Sequence, residues 1–107
     1  MIFSEKARGG DISTLRPRSS LLSAIGNKSR LKILLSLWKA REEMTMYKIC
    51  KATGLKRNSL SNHLRILLEN ELVERKIYGE IPLYTLNKSN PTVKALTEFF
   101  SKVNLRW

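Results

Sequence analysis

Apolar positions along the chain fall into helical spacing over most of its length and then switch to a strand-like pattern. Ser19 or Ser20 can cap a short helix over 21–25, which Gly26-Asn27 closes. Leu31, Leu34, Leu35 and Trp38 recur at helical intervals, so a second helix runs to about Ala40, starting after Ser29. Ile33 and Leu37 widen its apolar face, as suits a helix at the centre of a small core. Thr45 can cap a third, short helix through Thr53, with Met46, Ile49 and Cys50 inward and Gly54 as its stop. A fourth helix follows over about 57–70, with Leu60, Leu64, Leu67 and Leu68 in one stripe. The segments 72–78 and 81–86 are β-branched and aromatic runs around Gly79-Glu80, which predicts a β-hairpin. Pro82 suits an edge or loop-side position in it. Asn90-Pro91 then starts a last helix over 92 to about 105, bearing Val93, Leu96, Phe99, Phe100 and Val103. Residues 1–18, with Gly9-Gly10 and Pro17, show no period and read as a flexible basic arm. The expected fold class is therefore mainly α with a small β-hairpin (α+β), as one domain over 19–107. The order of its elements is that of a winged helix-turn-helix.

Composition narrows the class of partner. The chain has 107 residues, enough for one domain with a core, and 42% of them are hydrophobic, so it is no disordered tail. No apolar run exceeds three residues, which leaves nothing to span a membrane. Charges in MIFSEKARGGD stand where a signal peptide needs its apolar stretch, so the expected location is cytoplasmic, on the nucleoid. Cys50 is the only cysteine, which rules out an internal disulfide and a Cys-rich zinc site. Its plainest role is that of a small apolar residue. The net charge is +11, so a polyanion is the natural partner, nucleic acid first. Residues 21–58 hold nine bases against Glu42 and Glu43, whereas 59–86 carry a net charge of −1. The surplus thus peaks just before and at the start of the fourth helix.

That helix has the surface a groove reader needs. Away from its leucine stripe it presents Arg57, Asn58, Ser59, Ser61, Asn62 and Arg65, small polar and basic groups without bulk. Arg can pair bidentately with guanine and Asn with adenine, so Arg57, Asn58, Asn62 and Arg65 are candidate base readers. Lys48, Lys51 and Lys56 around the turn, with the Ser59 and Ser61 hydroxyls, would bond phosphates. Arg75, Lys76 and Tyr78 of the hairpin would approach the adjacent minor groove. His63 leans toward the packed side and is read as structural or phosphate-bonding. It cannot serve Ser61 as a base, because helix positions two apart face different ways. Trp38 reads as core.

Four stretches resemble the ArsR-type family, the arsenical-resistance repressors and their relatives. Residues 24–34, AIGNKSRLKIL, are similar to its opening motif, and Ser61-Asn62-His63-Leu64 to the core of its recognition helix. Glu71-Leu72-Val73 resembles its helix-to-wing junction and Tyr84-Thr85-Leu86 its closing strand. The resemblance covers about residues 20–90. It implies a homodimeric repressor on a palindromic DNA operator, with terminal helices forming the dimer interface. The family's metal sensors carry Cys-x-Cys in the third helix, which aligns with Thr45 and Tyr47 here. Others use Asp and His on the last helix, where this chain has only Glu98. No metal and no cofactor are therefore expected.

The last helix is apolar on two sides, more than one small domain needs. Leu96, Phe99, Phe100 and Val103, with Trp107 and with Leu21 and Leu22 of the first helix, are the expected homodimer contacts, over about 91–106 at the C-terminal end. The expected function is sequence-specific binding of double-stranded DNA by a homodimeric transcriptional regulator, most simply a repressor. No arrangement of nucleophile and base, phosphate loop or clustered carboxylates suggests an enzyme. Two alternatives remain: a chromatin-type protein that coats DNA without sequence preference, and a winged helix used for protein contacts in a transcription or replication assembly. The sequence leaves any small-molecule effector open.

Overall fold

A computed structural model describes residues 21–103. The arm over 1–18, the Ser19 and Ser20 caps and Trp107 lie outside the described residues. Helix α1 covers 21–25 of them and ends at Gly26. The Gly26 N–H donates to Leu22 O at 2.7 Å, and a Cβ there would come within 2.8 Å of that same oxygen. Only glycine allows so close an approach. Helix α2 runs Lys28–Ala40 and is capped by Asn27, whose side chain accepts from the Arg30 N–H at 3.1 Å. It therefore starts one residue before Ser29, because Asn27 closes α1 and caps α2 at once. Helix α3 is Met46–Thr53, with Thr45 Oγ1 accepting from Lys48 N–H at 3.2 Å, and Gly54 at φ 77° ends it. Helix α4 is Arg57–Glu69, strands β1 and β2 are Val73–Tyr78 and Ile81–Leu86, and α5 is Pro91–Val103.

Helix α2 sits at the centre and touches α3, α4 and β2. Being packed on several sides, it buries Ile33, Leu34, Leu35 and Leu37, while Leu31 and Trp38 of the expected stripe are only half-buried. The core joins these to Ile49, Leu60, Leu64, Leu67, Leu72, Tyr84, Leu86, Val93 and Phe100. Fully burying a side chain of this size contributes about 1.5–3 kcal/mol. Met46, Cys50 and Leu68 pack against the core without being sealed in it.

The junction from α4 to the hairpin is built from hydrogen bonds. Leu72 N–H donates to Leu67 O and Glu71 N–H to Leu68 O, both at 3.0 Å, a Schellman-type helix end with Glu71 at φ 61°. Asn87 and Asn90 side-chain amides each donate to Glu71 O at 2.9 Å and hold that left-handed residue in place. β1 and β2 pair antiparallel from Val73↔Leu86 to Tyr78↔Ile81. An isolated bridge, Met44↔Tyr84, ties β2 to the segment before α3 through two 2.9 Å bonds.

Candidate nucleic-acid interface

The short helix α3, the Gly54 turn and α4 follow one another without slack. Thr53 Oγ1 donates to Ile49 O at 2.7 Å and accepts from Leu55 N–H at 3.3 Å, so the turn is pinned from within α3. Leu60, Leu64 and Leu67 of α4 face the core, which turns the opposite side of the helix outward. Arg57, Asn58, Ser59, Ser61, Asn62 and Arg65 are all exposed there, as are Lys48, Lys51 and Lys56 around the turn. Arg65 donates to Asn62 Oδ1 at 2.8 Å and to Glu69 Oε2 at 3.2 Å, an exposed array held by spacings of three and four residues. α2, α3 and α5 begin with a side-chain cap, but α4 begins at Lys56 with none and has no acid in its first turn. First-turn amides without a side-chain acceptor, next to Lys56 and Arg57, suit an anionic oxygen.

Arg75, Lys76 and Tyr78 of the hairpin are also exposed. Lys76 lies 3.3 Å from Glu43 Oε2, and that hydrogen bond holds its ammonium above the ordinary lysine value. Lys76 is thus partly neutralised, so Arg75 is the freer cation of the wing. The wing also exposes Ile77 and Ile81, and α3 exposes Tyr47 at 65%, its ring 5.5 Å beneath Lys51 Nζ. Tyr47 entered the sequence reading only through its alignment with the sensor cysteines and not as a surface contact, although its place outside the 46, 49, 50 stripe marked it as outward.

Arg30 does not act as one more surface cation. It is 8% exposed, and its guanidinium donates to Ala24 O at 3.0 Å and Ser23 O at 2.9 Å. Its Nη1 lies 3.0 Å from His63 Nδ1 on α4. Burial first, and the Arg30 charge second, hold His63 below the usual histidine pKa. Neutral His63 accepts from Arg30, so its role here is structural.

Residues 25–76 match the family model of a helix-turn-helix domain. The transcriptional regulator HlyU from Vibrio vulnificus CMCP6 is 26% identical with a TM-score of 0.69, over 89% of this chain and 99% of that one. The homodimeric winged helix-turn-helix DNA-binding domain of Mb0332 from Mycobacterium bovis, a possible ArsR-family regulator, is 24% identical with a TM-score of 0.70, over 97% and 90%. The chain has a winged helix-turn-helix fold. NolR from Sinorhizobium fredii is 27% identical with a TM-score of 0.73, over 94% of this chain and 96% of that one. No curated protein matches the chain.

The expected dimer contacts separate in this fold. Leu22, Phe99 and Val103 are 67%, 52% and 43% exposed. Leu21 and Leu96 are half-buried against the core. Phe100 is a correction: it is 2% exposed and stacks at a tilt on Trp38, with 5.7 Å between centroids, so it belongs to the protomer's own core. Phe99 and Phe100 stand about 100° apart on the helix, and only one can face inward. Among the described residues no three His, Cys, Asp or Glu side chains gather to hold a metal, and no helix is long and apolar enough to cross a membrane.

Proposed function

We propose that the chain is a homodimeric transcriptional regulator that binds double-stranded DNA in a sequence-specific way, without enzymatic activity. The carrying observation is the outward face of α4, a continuous polar and basic surface beside the lysines of the turn. In this reading α4 enters the major groove, with Arg57, Asn58, Asn62 and Arg65 at base edges. Lys48, Lys51, Lys56, Ser59 and Ser61 hold phosphates, and Arg75, Lys76 and Tyr78 reach the neighbouring minor groove. Leu22, Phe99 and Val103 form the centre of a two-fold interface, since exposed apolar clusters mark partner surfaces. Half-sites one helical turn apart follow from that symmetry, and occupancy of a promoter gives repression. The protein then works in the cytoplasm, on the nucleoid.

Binding to two duplexes of equal length, the gene's own upstream region and a shuffled copy, tests this across a salt series. A preference of roughly a thousandfold or more is expected for a regulator. A ratio near one with a steep salt slope would instead indicate a DNA-coating protein. Absence of binding at low salt would turn attention to protein contacts.

A further inference from the structure

A cavity of about 430 Å³ lies between the C-terminal end of α2, the end of β2 and the first turns of α5. That volume is ordinary for a small-molecule site. Leu37, Leu86 and Val93 give it an apolar floor, and Trp38 supplies a flat wall braced from behind by Phe100. Three cations, Arg41, Lys88 and Lys94, stand on its rim against the single carboxylate of Glu42. All three are exposed, and none has an ion-pair partner among the described residues. Arg41 also has φ 58° and ψ 22° at the end of α2. Glycine takes this left-handed conformation at lower cost, so an arginine there places a guanidinium at the rim at some expense to the backbone.

We infer that this cavity binds a small planar organic anion, an aromatic carboxylate, with its ring against Trp38 and its carboxylate between Arg41 and Lys94. Apolar floor, aromatic wall and cationic rim together match an anion with an apolar body, whereas a bare inorganic anion would leave floor and wall unused. No lining residue belongs to α3, α4 or β1, so the site does not depend on the DNA-binding reading. Val93, Lys94 and Thr97 also lie on a different side of α5 from Phe99 and Val103, so ligand and second protomer would not compete.

Isothermal titration of the full chain with 1-naphthoate tests the assignment. One saturable site per chain is expected, with the neutral 1-naphthalenemethanol binding about tenfold or more weakly, the equivalent of one lost charged contact. Arg41→Gly is the informative variant, because it removes the guanidinium and relieves the left-handed residue together. Its melting temperature should hold or rise while naphthoate affinity falls about tenfold. Lys94→Ala should weaken binding in the same direction. Lack of a saturable site, wild-type affinity in both variants, or displacement of naphthoate by equimolar inorganic phosphate would each overturn the proposal.

Discussion

At Arg30 a single guanidinium bonds two carbonyls at the end of α1 and a histidine on α4. Such a buried charge is tolerable because its polar hydrogens have acceptors. Protonation of His63 removes one acceptor and sets two cations against each other. Its folded pKa lies below the ordinary 6.5, so the folded state binds the proton less readily than the unfolded chain. Stability from this contact is therefore full above the unfolded value and is lost as pH falls through the folded one. Melting curves between pH 7.5 and 5 should show this loss in the wild type and a shallower dependence in His63→Gln. Identical slopes would show that other groups carry the pH dependence. Single residues also decide the base-reading assignment. Arg57→Ala or Asn62→Ala should cost roughly 1–3 kcal/mol on the preferred duplex and little on shuffled DNA. An equal loss on both would make them phosphate contacts.

Among the elements, α3 and the wing are the pieces whose placement matters most. Gly54 has open space where a Cβ would stand, so Gly54→Ala meets no clash. Its expected cost of about 1–2 kcal/mol comes only from forcing φ 77° on a side chain, and denaturant unfolding would measure it. The wing is restrained by Glu43 through Lys76. Glu43→Gln should free that ammonium and steepen the dependence of log affinity on log salt by about one phosphate contact. An unchanged slope would mean that Lys76 stays off the DNA. Most elements were legible in the sequence because their ends are written locally: Thr45 and Gly54 around α3, Asn90-Pro91 before α5, Gly79-Glu80 between the strands. The α4 face was legible as well, since its leucine stripe fixes what points outward. Arg30 was not, because its acceptors converge from two segments far apart in the chain, α1 and α4, and in the sequence it is one more cation in a basic run. Nor could spacing alone choose between Phe99 and Phe100 on a helix apolar on two sides. The cavity beside Trp38 was hidden for the same reason, being formed by elements far apart in sequence.

For the whole molecule, a charge of +11 and exposed apolar residues on α1 and α5 point to different partners. On the proposed reading the first draws DNA at long range, and the second draws another copy of the chain. Phe99→Glu should leave the fold intact and yield monomers in sedimentation; a persistent dimer would move the interface elsewhere. Phe100→Ala is the contrasting variant. It should destabilise the protomer itself by about 3–5 kcal/mol, because it empties a core position. The Met44↔Tyr84 bridge has a mechanical consequence at this scale. It joins the segment that launches α3 to the β2 edge of the hairpin, so on the proposed DNA-binding reading helix and wing would act as the two jaws of a calliper. Fixed jaws measure length. Inserting one base pair between the stretches they grip shifts one contact by about 3.4 Å along the duplex axis. Such a site should then be held by one jaw or the other, and the spacing between the two stretches becomes part of the sequence being read.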